Sequence, residues 1–486
     1  MSQTKTELLQ GNLYINGEWV SEEEQTYFKS INPATQELVG TCAAATASQV
    51  DDAVRAASTA YSHWKNTSIP ERAAFLTKAA EIFEDRKEEL AQVMTKEMGK
   101  PLTESIGEVG VVIATAQYMA GEGRRLFGEI VPAGFPDRDI KMVREPLGVV
   151  ACITPWNFPV SLASYKMFAA LIAGNTVVWK PASEVALSAK IFMEVLHAAG
   201  LPKGTINLLT GSGRIVGQRL ATHSEVKIIS FTGSTEVGQQ LAEMSSKTLK
   251  RISLELGGKN AVIVLKDADL DKAAEGIVKS AFTTTGQRCT AASRVIVERS
   301  VKEELLKKVI ALTKEMKIGN GLEQGVVIGP LVNEQQCRLV ENYVQKAVEE
   351  GGNIALGGRA LSEELGTCYY MPTIIDNVHS NHTIAQEEIF GPVLAFIEVN
   401  GYEEAMSVNN GTMYGLSTSI YTSSLHYASR AAKDAVSGLV YINNGTSNAE
   451  MGVAFGGMKM SGNGHREVSH HAFDVMTEWK SVYTNY

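Results

Sequence analysis

Four short apolar runs, GVVACIT (148–154), NTVVWK (175–180), TINLLT (205–210) and KIISFTG (227–233), follow one another with helix-length stretches between them. None alternates polar with apolar residues, and continuous runs of this kind suit strands covered on both faces. The β-α-β-α beat predicts a parallel, doubly wound sheet. A second series begins at AVIVL (261–265) and continues through 294–297, 393–398 and 416–421. The expected fold is therefore α/β, with two doubly wound parallel-sheet domains and a cleft between them. Upstream, LYINGEW (13–19) reads as strands joined by an Asn-Gly turn. Ser68-Ile-Pro-Glu71 reads as a capping box with proline in the first turn. Behind it Phe75, Ala79, Ile82, Phe83, Leu90, Val93 and Met94 recur at helical spacing, which predicts one long amphipathic helix. A further helix is expected from about 102 to 121.

The chain has 486 residues, 44% of them hydrophobic, enough for more than one core. Lys and Arg number 45 against 54 Asp and Glu, a net charge of −9. That balance gives no general attraction to nucleic-acid phosphates or anionic lipid, so neither a nucleic acid nor a membrane is an expected partner. No apolar stretch approaches the roughly 18 residues of a membrane span, and the first residues carry no apolar signal segment. Five cysteines, Cys42, Cys152, Cys289, Cys337 and Cys368, lie far apart without a CxxC pair. Neither a disulfide framework nor a metal site fits, and a cytoplasmic location is expected. Cys42, Cys152, Cys337 and Cys368 fall in strand or helix patterns and read as packing. His465, His470, His471 and Asp474 read as a polar surface rather than a metal centre.

Local motifs leave alternatives open. Gly211-Ser-Gly213-Arg-Ile-Val-Gly217 follows a strand and opens a helix, but its last glycine is one position late for a dinucleotide fingerprint. It fits a tight βα turn as well as a turn near a cofactor. Gly233-Ser234 opens the next helix and is an equally good phosphate neighbour. Cys289, in TTTGQRCTA, is either a buried inert thiol or a nucleophile whose thiolate Arg288 favours. Glu255, between Leu254 and Leu256, is either a solvent-facing glutamate or a desolvated base with a raised pKa. Asn157, in TPWNFP, follows a strand at the carboxyl edge of the sheet, as a turn residue or as an oxyanion donor.

PWNFP, WKPAS, FTGSTEVG, LELGGKN, GQRCTA and EEIFGPV, in that order and spacing, resemble the aldehyde dehydrogenase superfamily over nearly the whole chain, from INGEW to FGGMKMSG. The resemblance implies an NAD(P)-dependent oxidation of an aldehyde to a carboxylic acid. Cys289 would attack the aldehyde to form a thiohemiacetal, and loss of hydride would give a thioester. Glu255 would activate water to hydrolyse it, and the Asn157 amide with the Cys289 N–H would hold the oxyanion. Lys166 and Glu467 match the residues that pass the proton outward. For the cofactor, Lys180 would contact the adenosine ribose, Gly233 and Ser234 the pyrophosphate, and Glu388 the nicotinamide ribose. Trp156, Leu256 and Phe390 would line its path. NAD-preferring relatives often have glutamate three residues after this lysine; here Ser183 stands there, so NADP is expected to be accepted beside NAD.

Succinate-semialdehyde enzymes of the family commonly carry Cys-x-Cys at the nucleophile, an arginine before the PWNFP-helix lysine and another six residues before the cysteine. This chain has Ala291, Tyr165 and Thr283 at those places. The segment CTAASRVIV and the ending FGGMK…HRE…TEWKSVY are more similar to enzymes for 2-oxoglutarate semialdehyde (2,5-dioxopentanoate). A betaine-aldehyde-type or broad-specificity enzyme is the alternative; succinate-semialdehyde and CoA-acylating enzymes fit less well, the latter because they typically lack the base glutamate. The resemblance further implies a cofactor domain (1–124 with 146–254), a catalytic domain (255–458) and an oligomerisation arm (125–145 with 459–486). The arm strands would pair across subunits, giving a homodimer or homotetramer.

Overall fold

The computed structural model describes residues 8–20, 24–447 and 449–486. Its first large sheet has seven strands in the order Arg251–Glu255, Val226–Thr232, Val149–Ile153, Thr176–Lys180, Ile206–Leu208, Leu13–Ile15 and Glu18–Val20. The first five run parallel. The last two form an antiparallel hairpin whose turn residues, Asn16 and Gly17, both have positive φ. Val150, Cys152, Val177 and Trp179 pack into one core with helices Ile69–Asp85, Ser161–Ala173 and Ala186–Ala198. Val149, Ala151, Ile153 and Val178 enter another core on the opposite face, with helix Ala47–Trp64. Burial on both faces is the physical reason the strands read as unbroken apolar runs.

The second sheet follows the order Asn353–Leu356, Thr373–Asp376, Val393–Val399, Ala292–Glu298, Asn260–Val264, Ser417–Tyr421 and Leu439–Ile442. All its pairings are parallel except that of the first strand. In the first sheet the strand order reverses between Val149–Ile153 and Val226–Thr232. Ligands of doubly wound sheets bind outside the carboxyl ends at such a point. The chain passes from the last strand of the first sheet to a central strand of the second in four residues, 256–259.

Two expectations are corrected. The long helix is two, Ile69–Asp85 and Lys87–Met98, broken at Arg86, whose φ of −104° and ψ of 16° lie outside helical values. The Arg86 guanidinium there bonds Glu89 and reaches Glu194 on another helix. The capping box itself is present, with Ser68 and Glu71 bonding reciprocally. Cys368 lies in a turn rather than a helix or strand, although it is buried. The arm strands pair with each other inside one chain: Thr477–Asn485 lies antiparallel to Arg138–Pro146, with Glu129–Val131 on its other side.

Candidate active site

The register of the first sheet brings one set of residues to a single level. Lys180 lies opposite Ile153, Phe231 opposite Ile153, and Glu255 opposite Thr232. The segments leaving this carboxyl edge carry Trp156, Asn157, Gly233, Ser234 and Leu256. The second sheet contributes its amino edge. Cys289 precedes strand Ala292–Glu298, and Glu388 and Phe390 precede Val393–Val399. A cavity of about 310 Å³ lies between the two edges, lined by Trp156, Asn157, Gly233, Leu256, Cys289 and Glu388 among others. Ser234 and Phe390 line it as well.

Cys289 is the one cysteine among the described residues that is not classed as buried. Its thiol is nevertheless pushed up to about 12, first by desolvation and then by the carboxylates of Glu388 and Glu255. The expectation that Arg288 favours the thiolate is not met. The Arg288 guanidinium turns away to Glu104, at 3.2 Å, and to the Thr284 hydroxyl, at 2.8 Å. The thiol therefore needs a proton acceptor before it attacks a carbonyl.

Glu255 is 3% exposed, which excludes the solvent-facing reading. Its carboxylate packs against Gly456, and neither oxygen has a well-formed hydrogen bond, the Gly457 N–H approaching without the geometry of one. Desolvation, with the charge of Glu467 added, raises its pKa well above the usual carboxylate range. Glu255 stands just outside the cavity lining. Lys166 and Glu467, which match the residues expected to pass a proton outward, are both buried and bonded to each other. One Glu467 oxygen also accepts from Ser230, while the other is buried without a partner.

Asn157 is buried; its side-chain amide donates to the Gln287 carbonyl at 2.9 Å. An amide nitrogen carries two hydrogens, so one remains for a further acceptor. Helix Ser161–Ala173, which carries Lys166, has no side-chain cap of its own. Glu108 supplies one instead, accepting from the N–H groups of Val160 and Ser161, and it pairs with the buried Lys100. Lys100 also donates to the Asn157 carbonyl. Asn260 donates to the carbonyls of Cys289 and Ala291, at 2.8 and 2.9 Å. Sequence reasoning missed Lys100, Glu108 and Asn260. For Asn260 a signal existed, the asparagine ending LELGGKN; for Lys100 and Glu108 the pattern reads only as helix.

On the cofactor side, Glu388 accepts from the Gly258 N–H at 2.8 Å and is raised to about 7 by burial. A Cβ on Gly257 would fall 2.2 Å from the Glu388 carboxylate, so the double glycine is a clearance for it. Phe390 holds a positive φ of 56°. Gln336 fixes it by donating to the carbonyls of Ile389 and Phe390, and the Trp156 ring meets it edge-on at 5.4 Å. Lys180 is buried, with its ammonium on the Pro181 carbonyl and its pKa lowered to about 8 by desolvation. Ser183 donates to the Gly211 carbonyl, which ties the Gly211–Gly217 turn to the Lys180 segment. Ser234 caps helix Thr235–Ser246. Lys180 and Ser183 lie outside the cavity at Cys289. Buried Asn157 Oδ1 and Thr232 Oγ1, without partners beside that cavity, fit the polar end of a nicotinamide dinucleotide. Among the described residues no group of three or more His, Cys, Asp or Glu is placed to hold a metal. No helix among them is long and apolar enough to cross a membrane.

Two facing sheet edges meet at a cavity of small-ligand size that holds a thiol and a buried amide, a site suited to chemistry on a bound small molecule. The chain belongs to the aldehyde dehydrogenase family, which it matches over residues 19–482. It is 42% identical to an alpha-ketoglutaric semialdehyde dehydrogenase of Bacillus subtilis, over 97% of each chain. It is 36% identical to an NADP-linked succinate-semialdehyde dehydrogenase of Escherichia coli, over 99% of each. The solved structure of an indole-3-acetaldehyde dehydrogenase from P. syringae, a complex with NAD+, superposes with a TM-score of 0.96 at 36% identity, covering 99% of this chain and 98% of that one. NAD(P)-dependent oxidation of a small-molecule aldehyde fits the fold and these relatives.

Proposed function

We propose that this enzyme oxidises 2-oxoglutarate semialdehyde to the dicarboxylic acid through a thioester on Cys289. The observation that carries the reading is the pairing of a lone reactive-site thiol with a buried, unpartnered carboxylate at the meeting of the two sheet edges. The name of the Bacillus subtilis relative supports the choice of substrate. Ala291, Tyr165 and Thr283 support it too, since they leave out the residues typical of succinate-semialdehyde enzymes.

In this reading the Cys289 thiol gives its proton to solvent water in the cavity, its sulfur adds to the aldehyde carbon, and the second Asn157 N–H with the Cys289 backbone N–H holds the resulting oxyanion. A nicotinamide dinucleotide in the cavity would supply the hydride acceptor that this oxidation needs. Glu388, Trp156, Leu256 and Phe390 would hold its nicotinamide end. Gly233 and Ser234 would hold its pyrophosphate, and Lys180 and Ser183 its adenosine ribose. Glu255, with no hydrogen bond to break, turns from Gly456 toward the acyl group and takes a proton from the attacking water. Glu467 and Lys166, buried behind Glu255, receive that proton and pass it outward. Residues 1–124 with 146–254 act as the cofactor domain, 255–458 as the catalytic domain, and 125–145 with 459–486 as an arm that joins copies into a dimer or tetramer. The enzyme works in the cytoplasm.

A panel of 2-oxoglutarate, succinate, betaine and simple aliphatic aldehydes, each with NAD and with NADP, tests the substrate. The highest kcat/KM is expected for 2-oxoglutarate semialdehyde; a tenfold preference for another aldehyde overturns the assignment. NADP is expected to support turnover, because Ser183 puts no negative charge beside the ribose. Ser183→Glu should lower kcat/KM for NADP by about tenfold or more through charge repulsion while leaving NAD within a few-fold. Steady-state kinetics with both cofactors reads the result, and strict NAD dependence of the wild type would refute it.

A further inference from the structure

The geometry points to Glu104 as a positioning residue for the Cys289 nucleophile, an inference that rests on Cys289 having that role. The turn before Cys289 is unusual: Thr284, Thr285 and Gly286 have consecutive positive φ values of 53°, 58° and 69°. Two of the three are β-branched, and such residues resist left-handed backbone. The turn persists because neighbours hold it. Glu104 accepts from the Thr284 N–H at 3.0 Å and from the Thr284 hydroxyl through its other oxygen. Thr285 donates to the Gly329 carbonyl, and Gly329 is packed so closely on Gly99 that a Cβ there would lie 2.0 Å from the Gly99 oxygen. Both threonines are thus moored to the region where helix Leu102–Glu122 begins. That start is itself fixed, by the Leu102 N–H on Gly321 and by Ser105 on Thr95.

The mooring reaches the chemistry by two routes. The turn sets the Gln287 carbonyl, which orients the Asn157 amide, and it sets where Cys289 leaves the loop. Glu104 also binds the Arg288 guanidinium, holding that charge turned away from the thiol. Removing the carboxylate therefore has two separable effects. Misplacement lowers the rate at every pH. A released Arg288 charge lowers the pH at which the thiol ionises.

Glu104→Ala is expected to lower kcat at least tenfold with KM for the cofactor within twofold. The pH midpoint of Cys289 alkylation by iodoacetamide is expected to move down. Glu104→Gln retains an acceptor for the Thr284 N–H, so it should recover part of kcat while keeping the midpoint shift. Thr284→Val keeps the side-chain shape and drops the hydroxyl; its loss should combine with that of Glu104→Gln less than multiplicatively. Thermal melts identify any variant that fails to fold, and Thr284→Val then carries the test by its own fall in kcat. Unchanged kcat in folded variants, or an unmoved alkylation midpoint in both Glu104 variants, overturns the assignment. Activity retained by Cys289→Ala would instead overturn the reading on which it rests.

Discussion

Cys289→Ala is expected to abolish aldehyde oxidation, lowering kcat on the order of 10⁴-fold or more, while cofactor binding stays within a few-fold. The two quantities separate because the thiol is a single lining residue of the cavity, whereas the residues proposed for the cofactor are spread over both sheet edges. A rapid-mixing assay reads the first and a fluorescence titration with reduced cofactor reads the second. Wild-type-like turnover would remove the covalent mechanism. None of the other four cysteines would replace it, since each is buried, in strand, helix or turn.

Glu255→Gln has a different expected signature. Acylation proceeds and hydrolysis stalls, so one equivalent of reduced cofactor appears in a burst and steady turnover falls by roughly 10²–10⁴-fold. Disappearance of burst and turnover together would place Glu255 in the first half of the reaction instead. The wild-type enzyme should lose deacylation as pH falls through the raised pKa of this carboxylate, well above the usual carboxylate range. Stability carries the opposite dependence. The folded state holds the proton more tightly than the unfolded chain, so this group's contribution declines as pH rises from about 4.5 through the raised value. Glu255→Gln, neutral throughout, should therefore melt progressively higher than wild type as pH rises across that range.

The sheets were legible because their strands are buried on both faces, and the capping box because two side chains three apart suffice to form it. Cys289, Glu255 and Asn157 stood out as fragments of sequence, and the structure brings their loops to one place. What escaped depended on distant partners. No glycine or proline marks the break at Arg86; Glu194, more than a hundred residues away, binds the side chain at that corner. Arg288 adjoins Cys289 in sequence, but its direction is decided by Glu104. The burial of Lys166 and Glu467 follows from their pairing across most of the chain. The closing strand's pairing with Arg138–Pro146 inside the same chain is a contact of the same long range.

The four-residue passage from Glu255 to Asn260 also constrains motion. The five peptide units from Glu255 to Asn260 reach at most about 18 Å, so the two sheets cannot draw apart along this line. Any opening that admits or releases a dinucleotide has to pivot about the passage as a door does about its pin. Glu255, the proposed base one residue before the pin, and Asn260, one residue after it, are then nearly stationary. Lys180 and Ser183, farther out along the first sheet, sweep the larger arc. Slow release of reduced cofactor would thus be a property of the far end of the site, and substitutions there should alter turnover without touching the bond-making atoms.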